Sequence, residues 1–411
     1  MYFLVGTITN NITKTSLREF AKNLNEDDYD ASLDMKDYIS KLVNEGRLKI
    51  SVLNNYLFEE LFFGQHKDVY IHEIYNFNND ILFKKNLDKI INDNYDGNSE
   101  FNRIAETLLS NENERLELVA CKTKTNIENE EINNIKLLFA YRIKRINDKG
   151  SIIEEHSYIP IEVDLKRNLL ISKVVPKTKL YKDNYKPEVL YERYTEKVMK
   201  MFGIEINSYY NNHKIALYNM SEGLYKQIYN KMMLKKSDNL GQIIECFCDE
   251  IIKELNIEKI SEKKKTNNIF DIKYSINKYF DQLLITDILK NRKFGIDAME
   301  DIDGLVTYIR FNDGSNVSAK VSGENYRASI YTSETYMALR DPIENANKIS
   351  EIKVIWILKD KDLRIKYNTK SCEYLYMHFY KNFSEEDFKY GYKKYKEYES
   401  ISISKVDRMA R

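Results

Sequence analysis

The sequence predicts an α+β protein of several domains, in which helical regions alternate with antiparallel strands. Between residues 116 and 180, apolar and polar residues alternate in runs separated by turn sequences, which is typical of an antiparallel meander. Residues 1–115 and 188–290 instead carry apolar residues at helical spacing, and residues 291–411 show both patterns. At roughly 100–200 residues per domain, a chain of 411 residues has room for two or three domains.

The first region, residues 1–115, is predicted to be mainly helical after an opening strand in the apolar segment that begins at Met1. Thr15 or Ser16 is predicted to cap the first helix, and Glu19 stands three residues after Ser16, as in a capping box. The pattern then predicts helices over Leu33–Leu42, Ser51–Phe63, Ile81–Ile91 and Phe101–Leu109, and a strand over Val69–Tyr75.

Residues 116–180 are predicted to form a four-stranded sheet, one face of which must be covered by a helix or another sheet. Turn residues at Asn147–Gly150 and at Asp164–Asn168 separate the last three strands. The predicted strands are Leu116–Lys122, Lys136–Ile146, Ile152–Val163 and Leu169–Val175. The polar, lysine-rich segment Pro176–Pro187 follows, and we expect a domain boundary there.

The region 188–290 is predicted to be helical, because each of its apolar stretches repeats at three- and four-residue intervals. Ser221 and Ser237 are predicted to mark the starts of two helices, since serine favours the N-cap position. The expected helices are Val189–Phe202, Ser221–Leu234, Asn239–Leu255 and Ile272–Leu289.

The C-terminal region, 291–411, is predicted to be mixed. Its strongest local signal is the turn sequence Asn312–Ser315 between two apolar runs, which indicates a hairpin. Two hairpins are expected, Leu305–Phe311 with Asn316–Val321 and Ile352–Leu358 with Leu363–Tyr367. A strand is expected over Tyr326–Tyr331 and a last helix over Ser384–Glu399. Between them, a helix is expected over Glu334–Arg340, which Ser333 caps and Pro342 interrupts.

The composition indicates the cellular compartment of the protein and limits the kinds of partner it can bind. The 64 basic and 64 acidic residues cancel, so no overall basic excess attracts a polyanion, although a local basic face remains open. The 4 cysteines are too few for a disulfide framework and indicate a reducing compartment. The start lacks a signal-peptide pattern and no apolar stretch approaches the ~20 residues of a membrane span. We therefore expect a cytoplasmic protein without a membrane partner, and the abundance of Lys, Asn, Ile and Tyr indicates an AT-rich bacterial genome.

Phosphate-binding, dinucleotide-binding, hydrolase and zinc-protease motifs are absent from the sequence. The best enzymatic pattern is that of a metal-dependent nuclease, in which carboxylates on neighbouring strands hold Mg²⁺ or Mn²⁺ and a lysine assists the attacking water. Weak catalytic candidates are Asp148, Glu162, Asp164 and Lys166, and a second set is Asp303 or Asp313 followed by Ser318-Ala319-Lys320. Asp and Lys are equally typical of exposed turns, so two interpretations of these residues remain open: ordinary turn residues and a nuclease site.

Basic residues interleaved with aromatic residues suggest a nucleic-acid surface instead. Cations neutralise phosphates, and aromatic rings stack on unpaired bases. The first hairpin of the C-terminal region carries Tyr308, Arg310 and Lys320, Arg327 follows it, and Arg142 and Arg145 lie near one end of the meander. Alternate residues of a strand share a face, so Tyr308 and Arg310 are expected to point the same way.

The sequence therefore favours a nucleic-acid-interacting, DNA-binding type of protein that acts as a non-catalytic component of a bacterial multi-protein system, such as antiviral defence or a mobile element. A divergent nuclease using Mg²⁺ or Mn²⁺ is the first alternative, and no other cofactor is expected. A protein–protein adaptor is the second, since 32 tyrosines provide the rigid contact area that interfaces favour.

Overall fold

In the computed structural model of the chain, the described residues are 1–24, 34–95, 97–106, 117–209, 212–233, 239–255, 272–290, 302–312 and 318–409. The chain divides into two compact units. The first unit comprises Met1–Asn211 and Tyr367–Lys393, and the second comprises Asn212–Lys366 and Lys394–Arg411. Helices and antiparallel strands occur in both, so the predicted mixed α and β class is confirmed.

The secondary structure is as follows. The strands are β1 (Asp68–Asn76), β2 (Phe101–Asn102), β3 (Glu117–Thr125), β4 (Ile132–Ile146), β5 (Ile152–Asp164), β6 (Leu169–Val174), β7 (Glu205–Ile206), β8 (Gly304–Asn312), β9 (Ser318–Ser322), β10 (Glu351–Ile357), β11 (Asp362–Asn368) and β12 (Leu375–Phe379). The helices are α1 (Gly6–Thr9), α2 (Lys14–Leu24), α3 (Met35–Asn44), α4 (Ile50–Glu59), α5 (Lys84–Asn94), α6 (Pro187–Phe202), α7 (Asn212–Met233), α8 (Leu240–Glu254), α9 (Ile272–Lys290), α10 (Glu334–Ala346) and α11 (Glu385–Met409). Among the described residues, no helix has the length and apolar character needed to cross a membrane.

The first unit is built on a sheet with the strand order β2-β3-β4-β5-β6-β1-β12, and β7 pairs with β1. Its centre is the predicted meander β3 to β6, and the β4–β5 ladder runs without a break from Asn134 opposite Asp164 to Ile146 opposite Ile152. After β6, the sheet continues with β1 and β12, which come from far earlier and far later in the chain. The meander was therefore predicted correctly. The strands β1 and β12 extend its sheet through pairing between segments that are distant in sequence.

Helix α6 covers one face of this sheet. Pro187 occupies its first turn and Gly203, with φ of 61°, follows its last residue. These are the positions that favour proline and glycine. Tyr191 of α6 stacks on Tyr70 of β1, and the hydroxyls of Ser172 and Thr195 are 2.7 Å apart. The opposite face packs on a π-helical turn, Glu60–Gly64, that extends α4 and carries the buried rings of Phe62 and Phe63.

The second unit contains a smaller sheet with the strand order β11-β10-β8-β9. The two predicted hairpins of this region are present as β8–β9 and β10–β11. Helix α7 packs against the sheet through an aromatic cluster in which the rings of Tyr225 and Tyr331 lie 5.3 Å apart. The Tyr331 hydroxyl donates a hydrogen bond of 2.8 Å to the backbone carbonyl of Ser221.

Three predictions for the N-terminal region were wrong. The opening segment forms the short helix α1 and not a strand. Phe101–Asn102 pairs with β3 as β2, and a 3₁₀ turn follows at Ile104–Glu106, so the predicted helix over Phe101–Leu109 is absent as far as residue 106. The cap of α2 is Thr13 and not Thr15 or Ser16, because the Ser16 amide donates to the Thr13 hydroxyl over 3.1 Å.

Three predictions in the second half of the chain were also wrong. Ser221 lies buried inside α7 and starts no helix, because α7 already begins at Asn212. The segment Tyr326–Tyr331 is a turn that leads into a 3₁₀ helix at Ile330–Thr332. The backbone of Ala328 lies so close to Gly323 there that the two segments cannot pair as neighbouring strands. Helix α10 continues through Pro342 to Ala346. The expected start at Ser237 lies outside the described residues.

The predicted boundary segment Pro176–Pro187 lies inside the first unit. It is attached to β4, because the Ile146 amide donates to the Lys179 carbonyl over 2.8 Å and the Tyr181 amide donates to the Lys144 carbonyl over 3.0 Å. The units instead divide between residues 211 and 212, and again at 366/367 and 393/394.

Candidate nucleic-acid interface

The candidate interface lies on the sheet of the second unit, where alternation separates buried from exposed residues. In β8, the side chains of Ile309 and Phe311 are fully buried, whereas Tyr308 and Arg310 are partly exposed. This alternation is the normal result of a pleated strand with one face on the core. Tyr308 and Arg310 therefore share the outer face, as their spacing predicted.

The strand register brings residues from three strands together on that face. Arg310 lies directly opposite Lys320 of β9, and it is also opposite Glu351 of β10. Tyr308 lies opposite Lys353 of β10. Residues directly opposite each other in an antiparallel pair point to the same side and have Cβ atoms about 5 Å apart. The hairpin register thus places Lys320 beside Arg310.

A single buried carboxylate orders two of the cations. The Arg310 guanidinium lies 3.3 Å from one oxygen of Glu351, and the Lys366 ammonium of β11 lies 2.9 Å from the other oxygen. The Glu351 side chain is only 5% exposed, while those of Arg310 and Lys366 are 32% and 24% exposed. The carboxylate holds both cations in place and leaves part of each at the surface.

Two tyrosines lie among the cations. The Lys353 ammonium is 4.9 Å from the centre of the Tyr308 ring. The Tyr326 ring lies 4.6 Å from the Arg364 guanidinium and 5.5 Å from that of Arg327. Contacts of this kind orient a cation over a ring. Tyr326 itself is 68% exposed, so most of its ring area remains open to solvent.

We call this set the basic face. It consists of Tyr308, Arg310, Lys320, Tyr326, Arg327, Glu351, Lys353, Arg364 and Lys366. Six cations and one carboxylate make it strongly positive within a chain whose net charge is +0. A local field of this kind attracts anions regardless of the overall charge.

Five members of the basic face were not predicted as site residues, namely Tyr326, Glu351, Lys353, Arg364 and Lys366, although a local pattern could have identified three of them. Arg364 and Lys366 alternate on a predicted strand, and Lys353 occupies the polar position of another. Tyr326 stands next to Arg327 among the interleaved basic and aromatic residues, but its contact with Arg364 depends on how the turn folds back on the sheet.

Arg142 and Arg145 belong to the first unit and are not members of the basic face. Arg142 lies 3.0 Å from Glu154, and Arg145 lies 2.9 Å from Glu155. The Arg145 side chain also donates to the Thr178 carbonyl over 2.9 Å. Their charges are therefore compensated by carboxylates on β5, and this end of the meander carries charges of both signs.

The proposed nuclease carboxylates lie at opposite ends of β5. Asp148 is in the turn before the strand, is 94% exposed and pairs with Lys179. Asp164 ends the strand and forms a 2.6 Å ion pair with Arg167, while Lys166 is exposed in the same turn. A strand of 13 residues spans about 40 Å at ~3.3 Å per residue. Asp148 and Asp164 therefore cannot share one metal ion.

Glu162 is buried, and its carboxylate already has a hydrogen-bond partner and an ion-pair partner. Its carboxylate accepts a 2.9 Å hydrogen bond from the Asn134 amide and lies 3.4 Å from the Lys173 ammonium. Burial raises the pKa of the Glu162 carboxyl, but the positive charges of Lys173 and Lys136 outweigh that effect and lower the pKa below its ordinary value. The carboxylate is thus ionised and serves as the anion of a buried ion pair.

In the second nuclease set, the Asp303 carboxylate is already paired. Asp303 lies 3.0 Å from the Lys394 ammonium and accepts a 3.1 Å hydrogen bond from Gln227. Asp313 lies outside the described residues. In the part of the chain that the structure describes, no three His, Cys, Asp or Glu side chains are grouped so that they could hold a metal ion.

No protein-family model matches the chain. A search of curated proteins likewise returned no match.

Proposed function

We propose that the protein binds single-stranded nucleic acid through the basic face. The observation that carries the proposal is the strand register, which sets Arg310 opposite Lys320 and beside the Glu351–Lys366 pair, with Tyr308 on the same face. Cations at the spacing of neighbouring strands suit successive phosphates of an extended backbone. The function would be exercised in a bacterial cytoplasm, within a multi-protein system.

The aromatic residues favour an unpaired strand over a duplex. A base stacked on an exposed aromatic ring contributes about 1–3 kcal/mol, and only unpaired bases present their faces to such a ring. Tyr326 has two guanidinium groups near its largely exposed ring, so that a base stacked on it would have cations close by for its phosphate. The basic face provides both the charge and the stacking that such a ligand requires.

The test is the affinity for a labelled single-stranded oligonucleotide as a function of salt, measured by fluorescence anisotropy. Each phosphate contact contributes roughly 0.7 to the slope of log K against log salt for a single strand. Replacing Arg310, Lys320 and Arg327 together by Ala should weaken binding and reduce that slope by about 2. Tyr326→Ala should weaken binding with little change of slope, because stacking releases no counterions.

The matched control is the double variant Arg142→Ala, Arg145→Ala, which removes two arginines that are paired with carboxylates in the first unit. We expect it to bind as the wild type does. Wild-type binding that ignores salt, or a triple variant that binds like the wild type while the control variant does not, would contradict the proposal.

A protein partner is the second candidate, in the role of an adaptor. Helix α8 exposes Ile243 (63%) and Phe247 (49%), which are four residues apart and so lie on the same side of the helix. Replacing both residues by Asp should abolish co-purification of a partner while preserving oligonucleotide binding. A partner retained equally by wild type and variant would count against this role for α8.

A further inference from the structure

A cluster of ionisable side chains lies in the first unit, where β1 pairs with β12. Asp68 is directly opposite His378 in this antiparallel ladder, and Tyr70 is opposite Tyr376. Directly opposed residues and their neighbours two positions along share one face of the sheet. Asp68, Tyr376 and His378 are therefore brought together by residues about 300 positions apart in the sequence.

Hydrogen bonds fix the orientation of the His378 ring. Its Nδ1 atom lies 2.6 Å from an oxygen of Asp68, and the Tyr376 hydroxyl donates to the same oxygen over 2.7 Å. Because a carboxylate accepts, Nδ1 carries a proton and Nε2 points away from Asp68. The Asp68 side chain is 9% exposed and that of His378 is 19% exposed, so the imidazole reaches the surface while its carboxylate is shielded.

A second histidine lies beside the first. The Phe379 amide donates to the Lys67 carbonyl over 3.1 Å, so the ladder continues one residue beyond β1. Continued by one more residue, this register sets His66 opposite Tyr380 and diagonal to His378, a separation of about 7–8 Å in a regular ladder, and the charge of His378 acts on His66. His66 is exposed. Two imidazoles at this separation can reach the two sides of one phosphate group.

The charged surroundings give the two histidines different roles. Burial lowers the pKa of His66, and the positive charge of His378 lowers it further, so His66 favours the neutral form. Asp68 holds the His378 ring with Nδ1 towards the carboxylate and Nε2 directed away from it. The charges of His378, Lys67, Asp68 and Lys177 act on His66, and the His378 ring contacts Asp68 and Tyr380.

We propose that this cluster is a catalytic site that cleaves single-stranded RNA, with His66 as the general base and His378 as the general acid. The cluster supplies two proton-transfer groups, and RNA supplies its own nucleophile, the 2′-hydroxyl. The positive charge of Lys177 acts on His66, and its ammonium donates to Asn11 Oδ1 over 3.1 Å. The substrate class rests on the nucleic-acid binding proposed above, whereas the residues and the chemistry are independent of it.

The reaction is an internal transfer of the phosphoryl group. A ring nitrogen of His66 accepts the proton of the 2′-hydroxyl while the 2′-oxygen forms a bond to phosphorus. The bond between phosphorus and the 5′-oxygen breaks, and that oxygen receives the proton of Nε2 of His378. The products are a 2′,3′-cyclic phosphate and a 5′-hydroxyl end, and exchange of protons with water restores both histidines. Asp68 is a positioning residue, since it acts only through His378.

The experiment follows cleavage of a fluorophore–quencher RNA oligonucleotide by the full-length protein in EDTA over a range of pH. We expect a bell-shaped dependence of kcat/KM on pH, because one histidine must be neutral and the other protonated. His66→Gln and His378→Gln should each lower kcat/KM by about 10²–10⁴-fold. Asp68→Asn should lower kcat with little change in KM, because the His378 ring loses the carboxylate that fixes its orientation, and Asp68→Glu should restore part of the rate.

Two controls accompany this experiment. Asp80→Asn replaces an exposed aspartate elsewhere in the first unit and should leave the profile unchanged. DNA of the same sequence and 2′-O-methyl RNA should remain intact, because both lack the nucleophile. His66 is exposed, so His66→Gln preserves the core and keeps the test valid even if Asp68→Asn unfolds the protein.

Intact RNA at every pH, DNA cut as fast as RNA, or a His66→Gln variant that cleaves like the wild type would overturn the inference. Anisotropy measured on the same samples separates the two proposals. RNA that is bound but intact overturns the catalytic site alone. RNA that is cut, and bound equally well by the basic-face triple variant, overturns the proposed binding function alone.

Discussion

Lys173 illustrates at the scale of one residue how the protein accommodates a buried charge. Its ammonium lies 4.0 Å and 4.2 Å from the ring centres of Phe62 and Phe63, and 3.4 Å from Glu162. Burial lowers the pKa of Lys173 to about 8, against the opposing effect of Glu162. The aromatic faces and the carboxylate replace part of the lost hydration.

Lys173→Met should destabilise the fold by about 3–5 kcal/mol, because it leaves the Glu162 carboxylate buried without its closest cation. The double variant Lys173→Met, Glu162→Leu should recover most of that loss, since no unpaired charge remains. Urea denaturation of both variants measures the difference. Lys200→Met, which removes an exposed ion pair with Glu196, is the matched control and should cost less than about 1 kcal/mol. A double variant as unstable as the single one would contradict this account.

His72 makes the stability of the first unit depend on pH. Its Nδ1 atom donates to the Glu373 carbonyl over 2.9 Å, so Nε2 is free of a proton and accepts from the Tyr191 hydroxyl over 2.5 Å. Burial lowers the pKa of His72 from 6.5 to about 4. The unfolded chain therefore takes up the proton first as the pH falls.

The resulting stability is fully present above pH 6.5 and is lost as the pH falls through about 4. The contribution is on the order of 3 kcal/mol at most. Urea denaturation of wild type and His72→Gln at pH 7 and pH 4.5 measures it, and the variant should lose less stability on acidification because Gln does not titrate. Equal losses in the two proteins would show that other groups cause the acid sensitivity.

At the scale of an element, the end of α6 depends on a backbone conformation. Gly203 has φ of 61°, and a Cβ atom there would come within 3.2 Å of the Asn78 Cβ. Gly203→Ala should therefore destabilise the fold by about 1–2 kcal/mol, because a left-handed conformation strains an L-residue. Gly241→Ala in the first turn of α8 is the control, since nothing lies within 4 Å of a Cβ atom there. Thermal unfolding compares the two, and a control that destabilises as much would exclude backbone strain as the cause.

The predicted elements were most accurate where local pattern and structure coincide. β4, β5 and β6 match their predicted bounds within about one residue at each end except at the start of β4, and α6, α8 and α9 match closely. Alternation and turn residues are local properties, so the sequence reveals them directly. Short pieces such as β2 escaped prediction, because two residues carry no period and only the pairing with β3 makes them a strand.

At the scale of the whole molecule, the first unit is assembled from distant parts of the chain. β6 pairs with both β5 and β1, and β1 pairs with β12. Helix α6, which follows the Pro176–Pro187 segment, covers the same sheet through Tyr191 and Thr195. Cutting the chain in that segment therefore divides one hydrophobic core and does not separate two domains.

A protease site inserted between Lys182 and Asp183, both exposed, tests this arrangement. We expect the two fragments to co-elute in native buffer and to separate only in denaturant, because the second fragment supplies α6 and β12 to the first. Gel filtration after cleavage gives the answer. A first fragment that elutes alone and retains its circular dichroism would restore the domain boundary predicted at this segment.

The sequence by itself determined the mixed α and β class, the four-stranded meander, both C-terminal hairpins and the shared face of Tyr308 and Arg310. All of these follow from residue periodicity and turn chemistry within short stretches. Only the tertiary structure decided that Glu351 and Lys366 join Arg310, that Asp68 meets His378, and that Lys173 is buried between phenylalanine rings. These contacts depend on which distant strands pair and in what register, and a local pattern carries no information about a partner 300 residues away.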